Sequence, residues 1–178
     1  LSYNKLTSLD VSKNTALSSL WCLANKLTSL DVTANTALTD LHCASNQLTS
    51  LDVSKNTVLS ELQCHTNQLT SLDVSKNTAL DYLSLYKNQL TSLDLSQNIK
   101  LKVLYVSENK LTSLNMRNGI KDALITFFAQ ENPGLTCIEV LDPVWATANW
   151  TNADVTKMEM DAGVTFAYIC GVEVDGVS

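Results

Sequence analysis

Asp40, Glu61 and the two histidines of this sequence, His42 and His65, could converge across adjacent strands into an acid–base or metal-ligating site. Asp40 and Glu61 stand 21 residues apart, and His42 and His65 lie beside them at spacings that would put all four on neighbouring strands. Proton transfer or metal chemistry would also need a concave, dry site, which a regular sheet does not supply. No GxSxG, HExxH, P-loop or CxxC segment occurs. Cys43 adjoins His42 and would face the other side of its strand, so Cys–His metal spacing is absent as well. Trp21, Tyr82, Tyr86 and Tyr105 surround these groups, with Gln63 between them. Aromatic rings beside carboxylates and amides suit a protein hot spot, and equally suit stacking on sugar rings. The chemistry on offer is recognition without catalysis, and it calls for no cofactor and no metal.

These residues are positioned by a repeat. Units begin at Asn4, Asn25, Asn46, Asn67, Asn88 and Asn109, 21 residues apart, without an insertion as far as Glu108. Each unit nearly doubles internally: Leu17-x-x-Leu20-x-Cys22-x-x-Asn25 is followed by Leu27-x-x-Leu30-x-Val32-x-x-Asn35. Apolar residues two apart in each half indicate a short strand with alternate side chains turned inward. Halves this short leave no room for a helix, so each coil is expected to carry two strands on opposite sides. Only 5 Gly and 2 Pro occur in 178 residues, so other residues must make the corners. The columns Asn14, Asn35, Asn56, Asn77, Asn98 and Asn25, Asn46, Asn67, Asn88, Asn109 fit that role, because a buried amide can bond backbone groups a bend leaves unpaired.

The sequence resembles leucine-rich-repeat proteins, in particular the short 21-residue type with nested LxxLxL halves, called IRREKO repeats, frequent in secreted and surface proteins of Bacteroidetes-like bacteria. The resemblance implies a leucine-rich-repeat solenoid, mostly parallel β with short turns, two strand columns per coil and little helix. It covers Leu1 to about Val140, so residues 1–140 are expected to form the solenoid and 141–178 a small C-terminal cap and the start of a linker. Leu1-Ser2-Tyr3-Asn4 reads as the tail of a repeat and Gly171 to Ser178 as a join, so the chain is expected to be a piece of a longer one.

The two strand sides differ in how much they vary. The LTSLDV side repeats Ser8, Ser29, Ser50, Ser71, Ser92 and Asp10, Asp31, Asp52, Asp73, Asp94, a solvated hydrogen-bonded face on which a Ca²⁺ ladder or a polymer-binding comb is the lesser alternative, and an ice-binding face, which needs flat Thr columns, a lesser one still. On the other side the central outward column runs Trp21, His42, Gln63, Ser84, Tyr105. The columns beside it run Ser19, Asp40, Glu61, Tyr82, Val103 and Leu23, Ala44, His65, Tyr86, Ser107. Inward residues are fixed by packing and the LTSLDV face by repetition, which leaves this side as the expected ligand-binding face. Its candidate residues are Trp21, Asp40, His42, Glu61, Gln63, His65, Tyr82, Tyr86 and Tyr105, with Trp21 and Tyr105 expected to be exposed.

The rhythm breaks at Asn118 and ends after Val140. Trp145 to Met160 could hold a helical turn or two, with Trp145 and Trp150 as apolar plugs, and Val164 to Cys170 alternates like a strand. Cys22, Cys43 and Cys64 occupy an inward column continued by Leu85 and Val106, which marks them as buried free thiols. Cys137 falls on an outward repeat position under the expected cap strand, and a Cys137–Cys170 disulfide is expected there, implying an oxidising compartment. A formal charge of −6 and a pI near 4.7 argue against a nucleic-acid partner. The run Ala123 to Ala129 is too short for membrane insertion. The expected protein is a monomeric, extracellular or cell-surface recognition or adhesion module for a protein ligand, with a glycan ligand or a structural spacer as the alternatives.

Overall fold

The computed structural model describes residues 1–150 and 156–171; the expected linker at 172–178 lies outside them. The repeat stacks into coils, each of which turns its apolar residues inward onto the same columns as its neighbours. Leu20, Leu41, Leu62, Leu83, Leu104 and Phe127 stack in one column, all at 4% exposure or less, and Cys22, Cys43, Cys64, Leu85, Val106 and Ala129 stack in the next. Burying each such Leu or Val contributes roughly 1.5–3 kcal/mol, and no single coil can do so alone.

Three-residue strands follow from this stacking: β1 (Ser19–Trp21), β2 (Asp40–His42), β3 (Glu61–Gln63), β4 (Tyr82–Ser84), β5 (Ser92–Asp94), β6 (Val103–Tyr105), β7 (Ser113–Asn115), β8 (Thr126–Phe128) and β9 (Cys137–Glu139). The helix α1 (Pro143–Trp150) and two cap strands, β10 (Met158–Glu159) and β11 (Thr165–Ala167), complete the described chain. All strand pairs are parallel and in register, Leu20 against Leu41 and Leu41 against Leu62. A 7-stranded sheet runs β1-β2-β3-β4-β6-β8-β10, and a 4-stranded sheet runs β11-β9-β7-β5.

The two sides are unequal. The variable side is laddered in every coil, whereas the LTSLDV side pairs as strands only from Ser92 onward. Over the earlier coils that side keeps a bond near each corner, such as Lys26 N–H to Leu6 O at 2.8 Å. Ladder bonds require about 4.8 Å between strands. Period-two alternation is the same in both halves of each coil and does not show this difference between the sides.

Both Asn columns are buried apart from Asn14 in the first coil, but they bond differently. Asn67 accepts from Leu48 N–H at 3.0 Å and donates to Cys43 O and Cys64 O, so it clamps one coil to the next. Asn46, Asn88 and Asn109 repeat the pattern. Asn56 in the other column donates to Val32 O and Asn35 O, while its Oδ1 has no hydrogen-bond partner. The residue preceding each clamping Asn adopts a left-handed backbone: Tyr3, Ala24, Ser45, Thr66, Lys87, Glu108 and Glu131 have φ between 54° and 59°. Non-Gly residues resist this region, so the Asn clamps hold the strain that glycine would otherwise relieve.

The cap continues both sheets, β10 pairing with β8 and β11 with β9. Helix α1 starts where a Pro needs no N–H and where Asp142 accepts from Trp145 N–H at 3.0 Å. It buries Ala146 and Trp150, and the Trp150 ring meets Phe127, Trp145 and Phe166 edge-on at 5.7–5.9 Å. Cys137 and Cys170 form the expected disulfide, and Cys22, Cys43 and Cys64 are free and buried. The alternation expected over Val164 to Cys170 is cut short: β11 ends at Ala167, and Tyr168 and Ile169 are exposed in the turn that carries Cys170 back to Cys137.

Candidate recognition face

The outward residues of the 7-stranded sheet come together in three groups. In the first, the Trp21 and His42 rings stack at 4.5 Å and 7°, because in-register pairing of β1 with β2 sets them side by side. His42 Nε2 lies 3.1 Å from Glu61 Oε1, and Gln63 Nε2 donates to the same oxygen at 2.6 Å. In the second, His65 stacks on Tyr86 at 4.2 Å and 12°. The third joins Tyr82 to Tyr105 at 6.0 Å, tilted by 47°, and Tyr105 to Phe128 at 5.4 Å, nearly parallel. Asp40 stands next to Glu61 in register and accepts from Thr39 Oγ1.

Exposure is less even than the sequence implies. Trp21 is 54% exposed, but His42 beneath it is only 8% exposed, and Ser84 between Tyr82 and Tyr86 is buried. Tyr105, expected in the open, is half-buried against Phe128. Burial and the neighbouring His42 hold the His65 imidazole below its ordinary pKa, while burial raises the Tyr82 phenol, with Tyr105, Glu61 and Tyr86 adding to the effect. Among the described residues no three His, Cys, Asp or Glu side chains converge so as to hold a metal.

On the LTSLDV face each Asp accepts a bond from a backbone N–H two residues on: Asp10 from Ser12, Asp31 from Thr33, Asp52 from Ser54, Asp73 from Ser75, Asp94 from Ser96. The hydroxyls of Ser12 and Thr33, with these N–H bonds, hold Asp10 and Asp31 below the usual carboxylate range, and the N–H bonds, with the hydroxyls of Ser54 and Ser75, hold Asp52 and Asp73 there. The repeated Asp residues thus shape corners.

No family model matches the sequence, and no curated protein does. Solved structures do resemble it. A leucine-rich-repeat protein of Leptospira interrogans superimposes with a TM-score of 0.62 at 24% identity, covering 90% of this chain and 53% of that one. An internalin of Listeria monocytogenes, InlF, gives 0.64 at 20% identity, covering 84% and 48%. YopM, a leucine-rich effector protein from Yersinia pestis, gives 0.54 at 22%, covering 78% and 35%. The fold is a leucine-rich-repeat solenoid. The chain spans about half the length of the first two of these structures and about a third of the last.

One residue of this leucine-rich-repeat face escaped the sequence reading. Phe128 follows Tyr105 in the central column, since Leu124-x-x-Phe127-x-Ala129 restores the repeat and turns Phe128 outward. The signal was there, behind the longer corner at Gly119 to Asp122. Among the described residues no helix is long and apolar enough to cross a membrane.

Proposed function

We propose that this solenoid is a non-catalytic recognition module that binds a protein ligand through the 7-stranded sheet, outside the cell or on a bacterial surface. The observation that carries the reading is that, of the two sheets, the 7-stranded one carries a run of non-repeating outward rings, Trp21, His42, Tyr82, Tyr105 and Phe128, across its paired strands. The disulfide agrees with an oxidising compartment. The 21-residue spacing from Asn4 to Glu108 supports the short nested-repeat class, and in this reading the solenoid spans 1–140 and the cap begins at 141.

Ring geometry favours a protein over a sugar. Sugar stacking needs a free ring face, and pairing covers one face of each ring where Trp21 lies against His42, His65 against Tyr86 and Tyr105 against Phe128. Such ladders present edges and rims to solvent, suited to the mixed contacts of a protein epitope. The test is an array of extracellular proteins run beside a glycan array. Hits on the protein array should weaken by about 1–3 kcal/mol with Trp21→Ala and stay unchanged with Asp31→Asn or Asp52→Asn. Glycan hits alone would transfer the face to carbohydrate binding, silence on both arrays would leave a spacer, and loss in the Asp variants would mean the wrong face.

A further inference from the structure

Four structural facts single out one place on the recognition face. Asp40 and Glu61 lie opposite each other on paired strands, and Tyr82 is in register with Glu61 on the next. All three are partly exposed. Among the described residues neither carboxylate pairs with a lysine or arginine: Lys102 is engaged by Asp81 at 3.2 Å and Lys87 by Glu108 at 3.4 Å. Finally, His42, 8% exposed, directs its Nε2 to within 3.1 Å of Glu61 Oε1 without forming an aligned hydrogen bond. A buried polar wall, two carboxylates that lack a lysine or arginine and each have one oxygen accepting from a neighbour (Thr39 Oγ1 to Asp40, Gln63 Nε2 to Glu61), and an aromatic ring thus stand on consecutive strands.

We infer that Asp40, Glu61 and Tyr82 form the seat for an arginine side chain projecting from the protein partner, with His42 and Trp21 as its fixed wall. This rests on the protein-recognition reading above and specifies its anchor. A guanidinium presents a planar fork of donors that two adjacent carboxylates can accept, and its face packs on a tyrosine ring. Tyr82 is tilted 47° from Tyr105 at 6.0 Å rather than stacked flat on it, so Tyr105 does not lie face to face with its ring. A lysine ammonium would gain the charge but lack the planar match. The opposite Asp column has no such seat: its carboxylates close backbone turns, Lys55 and Lys76 stand beside Asp52 and Asp73, and no ring occupies the column.

The probe is the capped tripeptide acetyl-Gly-Arg-Gly-amide, titrated into the ¹⁵N-labelled chain and followed by amide chemical shifts. The matched peptide with citrulline, a neutral isostere of arginine, is titrated in parallel. Saturable shifts should cluster at Asp40, Glu61 and Tyr82, should vanish with citrulline, and should weaken by about tenfold in Glu61→Gln. Asp40→Asn provides a second variant should Glu61→Gln disturb folding, and Asp31→Asn should change nothing. Equal shifts on both faces, persistence in both seat variants, or no saturable shift would overturn the assignment. Protein-array hits that persist while the arginine peptide stays silent would remove the arginine anchor and leave the recognition reading standing.

Discussion

Replacing Asn67 with alanine should cost about three times as much stability as replacing Asn56, although Asn56 is the more deeply buried of the two, at 0% exposure against 9%. Asn67 is the sole acceptor found for Leu48 N–H, and it shares Cys43 O and Cys64 O with Asn46 and Asn88. The substitution orphans one buried N–H, at about 1–3 kcal/mol, and removes bonds to carbonyls that keep another donor, at about 0.5–1.5 kcal/mol each. The sum is about 3–4 kcal/mol. Asn56 donates to Val32 O and Asn35 O, which also accept from Asn35 N–H and Leu38 N–H. Nothing is orphaned there, and the unpartnered Oδ1 of Asn56 disappears with the side chain. The net cost is about 1 kcal/mol. Denaturant melts followed by far-UV circular dichroism, with the slope checked for constancy, measure both. An Asn56→Ala loss equal to or larger than that of Asn67→Ala would show that burial, and not bonding, governs the corners.

Two further outcomes follow from the cysteines and from His65. Thiol titration should find no reactive thiol in the native protein and three after unfolding without reductant; breaking the Cys137–Cys170 link, with its sequence separation of 33, should cost about 3–4 kcal/mol on the loop-entropy estimate. His65 is held below its ordinary value of 6.5, so on acidification the unfolded chain takes up its proton first. Stability should be level above that value and fall as pH drops from it towards the lowered folded value. His65→Gln should flatten this part of the wild-type profile, and an unchanged slope would contradict the burial argument.

Much of the molecule is legible in the sequence because stacking makes each residue type answer to one constraint. The inward Leu columns, the buried Cys column and the Asn corners follow from position within 21 residues, and the Cys137–Cys170 link from an outward Cys under the expected cap strand. What escapes is set by differences between coils. Ladder pairing on the LTSLDV side starts only at Ser92, and no single coil encodes that. The left-handed corner falls on Tyr3, Ala24, Ser45, Thr66, Lys87, Glu108 and Glu131, which share no chemistry, since the following Asn does the holding. On the candidate face, outward direction was readable but exposure was not. His42 is covered because its neighbour in register is the large Trp21, and Tyr105 because its neighbour is Phe128.

The Asn clamps give the molecule a discrete length. Each joins a coil only to the one before it, through the same atoms every time, so residues 46–66 could be excised and Asn67 would find in Leu27 N–H the acceptor's partner that Leu48 now supplies. The core would close unchanged, one strand spacing of about 4.8 Å shorter. The outer face would not survive so quietly: Asp40 would come to face Tyr82, His42 would come to face Ser84, and both Glu61 and His65 would be gone. A lineage built this way can rewrite what it displays by gaining or losing whole coils, without a single substitution in its interior.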